Sequence, residues 1–379
     1  MFSSNIKIQS IVEDFRIDKM IRYSNFVPRL YNFCRSLGFE KGKIMPSLAF
    51  CSDENQGFPI ILITKHFGTF PFNHGKVGGI VDIYRHVPHA HHGKDVLIIQ
   101  ASHVGYDPKS KTFGNYRRLQ TDNNKNTSTC GKIGSIIEWY EDEYAFAQNN
   151  IFLYKKNGLY LITIDNQLLN EKRRQGLFLN LEKLLLTENN EYKLHKILST
   201  SKTFIIKENF LKTLPKNINL TEKKIKIGNN LTPDLFTFKR DINLDKNFNQ
   251  LENNILKPMP WIVTSKAPLL TAAQINTQAE FDRTFRSILK EKEYQDKKLL
   301  FMSCLNIDIS PQENQVFPLT KCIPWAAYAK NCDIESSHTI EQDELIDRLL
   351  AQNIDNSEQI DLEKAINLMA NVPEIKVDF

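Results

Sequence analysis

The sequence predicts an α/β fold in which a sheet is flanked by helices. Three observations carry this expectation. Short apolar runs at 47–51 (SLAFC), 58–64 (FPIILIT) and 95–105 (DVLIIQASHVG) suit strands buried on both faces. Apolar residues near helical spacing surround them at 10–40 and 131–146. From about residue 233 the texture changes, and proline breaks in LTPDLF, KPMPW and KAPLL precede helical stretches at 273–298 and 340–370.

In the first helix, Ile11, Phe15, Met20, Ile21, Phe26 and Leu30 recur near helical spacing, interrupted only at Pro28. Between the second and third apolar runs lies 66–94, with five glycines and an apolar patch at Val77, Ile80, Val81 and Tyr84, which reads as a glycine-rich entry to a short helix. The segment 150–165 reads as a hairpin turning at Asn157-Gly158, because that dipeptide adopts the positive φ angles of a tight turn. Residues 300–330 have enough apolar character to add strand. A boundary near residue 235 separates this α/β region from a mainly helical C-terminal unit.

With 379 residues, 41% of them hydrophobic and 25% charged, the chain can bury a sizeable core and has the composition of an ordinary globular protein. No run of about 18 apolar residues is present, and MFSSNIKIQSIVEDF lacks a cationic start with an apolar run, so the expectation is a cytoplasmic protein without a membrane segment. Six scattered cysteines do not make a disulfide framework. Residues 1–300 hold 44 basic and 30 acidic side chains, and residues 301–379 hold 5 and 14. The lysine-rich stretch 193–226 lacks interleaved arginine and stacking aromatics, so it reads as a solvated face and no nucleic acid is expected.

Seven of the nine histidines fall between His66 and His103, and Cys51 and Cys130 bracket that window. Thiolate and imidazole are ligands that Zn2+ prefers, and a catalytic site needs three of them plus an open position. Cys51 closes an apolar run and is followed by Ser52-Asp53-Glu54, so a ligand and a carboxylate emerge together where a strand should end, the place where open α/β sheets build sites. His103 likewise closes an apolar run. Cys130 stands in TSTCGKIG just before a helix, whose N-terminus favours thiolate. Gaps of 52 and 27 residues with no Cys-x-x-Cys pair leave buried structural cysteines and a surface histidine cluster as the plain alternative. Gly75-Lys76-Val77-Gly78-Gly79 lacks the Walker pattern and reads as a site of close helix packing, and Phe67, Phe70 and Phe72 read as core.

These segments resemble the limiting-carbon-dioxide-inducible protein B/C family, whose domain is a divergent β-type carbonic anhydrase. The resemblance lies in Cys51-Ser52-Asp53-Glu54, Phe72 to Gly79, Ser102-His103-Val104-Gly105-Tyr106-Asp107, Gly114 to Arg118, and Ser128-Thr129-Cys130-Gly131. It implies a β-carbonic-anhydrase-like sheet over residues 1–235 and leaves the mainly helical unit 236–379 unexplained, a unit that would cap a subunit interface, bind a protein partner or regulate access. It also implies Zn2+ on Cys51, His103 and Cys130, and an Asp53–Arg118 dyad, with the adjacent Arg117 as the other choice. The implied reaction is reversible hydration of carbon dioxide to bicarbonate by zinc-bound hydroxide, in a homodimer. His74, His86, His89, His91 and His92 are candidate proton acceptors, although a loop histidine is more often simply solvated.

Two other readings use the same residues. A thiol hydrolase would take Cys51 or Cys130 as nucleophile, activated by His103 with Asp53 orienting the imidazole. A silent scaffold would keep the fold and a structural zinc for assembly.

Overall fold

The computed structural model describes residues 12, 15–82, 94–117, 126–170, 172–241, 246–311, 315, 319–332 and 335–373. The chain divides into two compact units that are not consecutive in sequence. One is Ile133–Ala272; the other joins Ile11–Lys132 to Ala273–Phe379. No helix among the described residues is long and apolar enough to cross a membrane.

The unit built from both ends of the chain holds a mixed eight-stranded sheet. Its principal strands are β1 (Ile44–Ala49), β2 (Asp95–Asp107), β3 (Leu299–Ile309), β4 (Leu319–Cys332) and β5 (Glu335–Ile340). β1 and β3 flank β2 in parallel, β4 returns antiparallel beside β3, and β5 pairs with the outer edge of β4. The short strand Phe72–Asn73 extends the sheet beside β1.

Strand alternation sorts the two faces. Leu97, Ile99 and Ala101 of β2 with Leu300, Met302 and Cys304 of β3 enter one core, which helix α1 (Tyr23–Ser36) covers with Tyr23, Phe26, Val27, Leu30, Phe33 and Cys34. Val96, Ile98, Leu299 and Phe301 enter a second core with Phe281 and Tyr294 on the opposite face. On the first face the apolar series ends at the C-terminal end of the strands, where His103, Asn306 and Asp308 take over, all fully buried.

Several expectations need correction. The run at 58–64 is not a strand but the middle of helix α2 (Gly57–Phe67), which buries Pro59, Ile63, Thr64, His66 and Phe67. A short apolar run does not choose between strand and helix by itself. Pro59 decides it physically, since a proline in the first helical turn loses no hydrogen bond, whereas in a central strand it would remove one. The first helix runs from Tyr23 to Ser36 and continues through Pro28, preceded by a short turn at Ile17–Lys19 and a strand at Ile21–Arg22. The glycine-rich segment forms a hairpin, Gly75–Lys76 with Ile80–Val81, rather than entering a helix, and residues 83–93 lie outside the described residues. Phe67 is buried, but Phe70 and Phe72 are exposed.

The division at residue 235 also differs from the structure. Residues 236–379 are not a separate, mainly helical unit, because β3, β4 and β5 belong to the central sheet, with β3 lying between β2 and β4. The helices expected there are present as α4 (Pro268–Ile288), α5 (Gln342–Leu350) and α6 (Leu362–Ala370).

The Ile133–Ala272 unit has its own five-stranded antiparallel sheet and contains most of helix α3 (Gly131–Asn150). The hairpin there turns as expected at Asn157 and Gly158, both with positive φ, between Ile151–Lys156 and Leu159–Asp165.

A chain ending at residue 235 would leave β2 with no neighbour on its β3 side and expose the apolar cores of both faces. Such a truncation is expected to be insoluble or to lack a cooperative thermal transition by circular dichroism. A soluble truncation with a sharp transition would show that β3 and β4 are dispensable.

Candidate metal centre

Cys51 lies two residues beyond β1, His103 is within β2, and Cys130 directly precedes α3. Their ligand atoms all lie within 4.8 Å of one another, and all three residues are buried. This set can bind a metal ion. Parallel pairing of β1 with β2 brings the first two together. Cys130 arrives in a left-handed backbone conformation, φ 50°, which is uncommon for a residue with a side chain and is tolerated where surrounding structure imposes it.

The imidazole is oriented from behind. His103 Nδ1 donates to Asp308 Oδ2 at 2.7 Å, which leaves Nε2 as the lone-pair nitrogen facing the two sulfurs. Nε2 is buried against the sulfurs of Cys51 and Cys130, with which it shares hydrogen bonds. A buried imidazole nitrogen between two thiols is a place where a metal ion would replace shared protons, and the two-sulfur, one-nitrogen donor set fits zinc with a fourth position open.

Asp308 is itself held on every side. Gln56 Nε2 donates to Oδ2 at 3.0 Å and to Oδ1 at 3.2 Å, and Thr320 Oγ1 donates to Oδ1 at 3.2 Å. Burial pushes the Asp308 carboxyl up from its ordinary range, as does the charge of Asp53, while the hydrogen bond from His103 opposes both. It was not found from sequence, because it stands 205 residues from His103 in a stretch with no recognisable motif.

The thiols share protons unequally. The Cys130 thiol's hydrogen bond brings Cys51 down to about 4 against the opposing effect of burial, helped by His103 and by the Gly78 N–H, which reaches Cys51 Sγ at 3.1 Å. Cys130 moves well above its ordinary value, since it supplies that hydrogen bond and is buried. Burial alone would lower the His103 imidazole, but the Cys130 sulfur and Asp308 carry it well above its usual value. A metal ion bound here would take the place of these shared protons.

Glycines let the surrounding loops close in. A Cβ on Gly79, whose φ is +72°, would sit 2.1 Å from the Ala101 carbonyl oxygen, and one on Gly105 would sit 2.3 Å from Thr129 Oγ1, next to Cys130. The Gly78 carbonyl is held by Asn276 of α4, whose Nδ2 donates to it at 3.0 Å and to Ser102 Oγ at 2.8 Å. This close backbone approach replaces the helix packing expected for the glycine segment.

Asp53 caps a short turn, Glu54–Gln56, accepting from the Asn55 N–H at 3.2 Å. It does not orient His103, as the thiol-hydrolase reading requires; Asp308 does. Arg118 lies outside the described residues. Arg117 donates through its guanidinium to the Pro311 carbonyl at 2.7 Å. Of the candidate proton acceptors, His86, His89, His91 and His92 also lie outside them. Burial pushes His74 down to about 4, and its Nδ1 bonds Ser47 Oγ at 2.9 Å, so it stays neutral at physiological pH and is a poor acceptor.

Replacing Asp308→Asn removes the charge that fixes the imidazole. Metal affinity, measured by competition with a chromogenic chelator, is expected to fall about 10–100-fold. Unchanged affinity would show that Asp308 does not support the ligand.

No family model matches the chain, and no curated protein matches it in sequence. Its fold is similar to that of PtLCIB4, a homolog of the limiting CO2-inducible protein LCIB, with a TM-score of 0.50 at 11% identity, covering 89% of this chain and 99% of that one. The crystal structure of LCIB aligns with a TM-score of 0.43 at 10% identity, over 86% of this chain and 96% of that one. The likeness to PtLCIB4 is one of fold, and its coverage reaches well beyond the first 235 residues.

Proposed function

We propose that this chain is a zinc enzyme that reversibly hydrates carbon dioxide to bicarbonate. The observation that carries this reading is the convergence of Cys51, His103 and Cys130, buried and within 4.8 Å of one another, in a fold similar to that of PtLCIB4. Those three residues would hold the metal. Zinc in such a set would supply a Lewis acid that brings the pKa of its water down toward about 7, the range this reaction needs.

The remaining work falls to the protein. Two thiolates cancel the charge of a dication, so this set activates water less than three histidines would, and surrounding groups matter correspondingly more. Asp308 keeps His103 in the tautomer that presents Nε2. Asp53, two residues past Cys51, would accept a hydrogen bond from the attacking water or hydroxide and so orient its lone pair toward carbon dioxide. Arg118 is the partner that would hold Asp53 in that role. The same reading takes a cytoplasmic homodimer as the working form.

Purified protein is expected to contain about one zinc per chain, with Cys130→Ser failing to retain it. Stopped-flow hydration of carbon dioxide should fall about 100-fold or more in Asp53→Ala, the usual scale for a lost acid–base group. Equal rates in wild type and Asp53→Ala would instead favour a scaffold with a structural metal, and zinc retention by Cys130→Ser would favour a thiol enzyme.

A further inference from the structure

A chain of four buried polar side chains runs from the metal centre to α1. Its directions follow from one charge. The Asp308 carboxylate only accepts, so Gln56 must turn its NH2 toward it, at 3.0 and 3.2 Å. The Gln56 oxygen then faces Asn306, whose Nδ2 donates to it at 2.7 Å. The Asn306 oxygen in turn faces Tyr23, whose hydroxyl donates to it at 2.9 Å. Each amide orientation is forced by its neighbour, and on the other side the same carboxylate forces His103 to donate from Nδ1. Tyr23, Gln56, Asn306 and Asp308 are each 1% exposed or less.

Gln56 holds a special place in this chain because it closes the turn that Asp53 caps. Its neighbours in the network, Asn306 and Asp308, are alternate residues of β3, which lies beside the strand carrying His103. We propose that Gln56 is a positioning residue, whose carboxamide fixes the Asp53 turn to β3 and so holds the Asp53 carboxylate in register with the His103 ligand. This rests on the reading of Asp53 given above. Gln56 acts through Asp53 and Asp308 and touches neither metal nor substrate.

The test is Gln56→Met in the full chain, a swap that keeps length and burial but removes the carboxamide's hydrogen bonds to Asp308 and from Asn306. Amide hydrogen exchange over residues 52–57 is expected to quicken about tenfold, the scale of one lost bond to a buried charge, while amides of β2 and β3 keep their protection. Zinc retention should stay within about threefold of wild type, because the His103–Asp308 bond is intact, and hydration should fall toward the Asp53→Ala rate. Adding Asp53→Ala to Gln56→Met should then cost little more, since both act through one group.

A second variant covers the case in which Gln56→Met does not fold. Gln56→Glu alone sets two carboxylates against each other, and combining it with Asp308→Asn restores every donor to an acceptor along the chain. The pair is expected to recover the thermal midpoint and the local exchange protection lost in Gln56→Glu. Unchanged exchange at 52–57 in Gln56→Met, multiplicative losses with Asp53→Ala, or no recovery in the paired variant would overturn the proposal. If wild type does not hydrate carbon dioxide, the functional reading fails, while the exchange and recovery measurements still decide the role of Gln56.

Discussion

The hydrogen bond from His103 Nδ1 to Asp308 is the interaction on which the centre depends. It joins two parallel strands whose residues come from opposite ends of the chain, and it decides which imidazole nitrogen faces the two sulfurs. A carboxylate taken fully out of water is costly unless every lone pair is engaged. Here His103, Gln56 and Thr320 engage it, so the stabilisation of one buried charge and the orientation of one ligand are the same set of bonds.

This dependence explains the discontinuous architecture. β2 supplies the imidazole, and β3 supplies the carboxylate beside it and the asparagine that continues the network. Along both strands the first residues are apolar and build the cores on the two faces, while the polar side chains gather at the C-terminal end, where an open parallel sheet presents its site. The glycine hairpin and α4 complete the enclosure. Gly78 donates its N–H to Cys51 while Asn276 holds its carbonyl, and Gly79 approaches the Ala101 carbonyl at a distance no side chain would permit.

Much of the centre was legible in the sequence. Cys51 and His103 stand at the ends of apolar runs and Cys130 before a helix, which marked them as candidate ligands, and the resemblance of the surrounding segments to a known family joined them on one metal despite their long spacing. The hairpin at Asn157-Gly158 was legible because few dipeptides adopt two positive φ angles easily. The run at 58–64 was misread because apolar content alone does not fix the period, although Pro59 carried the deciding information. The role of 299–332 escaped because the signal is distributed. The segment LLFMSCLNIDI has the same form as DVLIIQASHVG, an apolar series ending in polar residues on one face, yet nothing local says that the two strands lie side by side. Asp308 is therefore a residue that only the pairing of β2 with β3 reveals.

The central claim is that two thiolates and one imidazole hold a single zinc. X-ray absorption at the zinc edge of the purified protein addresses it directly. The expected spectrum has two sulfur scatterers at about 2.3 Å, one imidazole nitrogen at about 2.0–2.1 Å and one further light atom. A first shell of four sulfurs, or one with no sulfur, would contradict it.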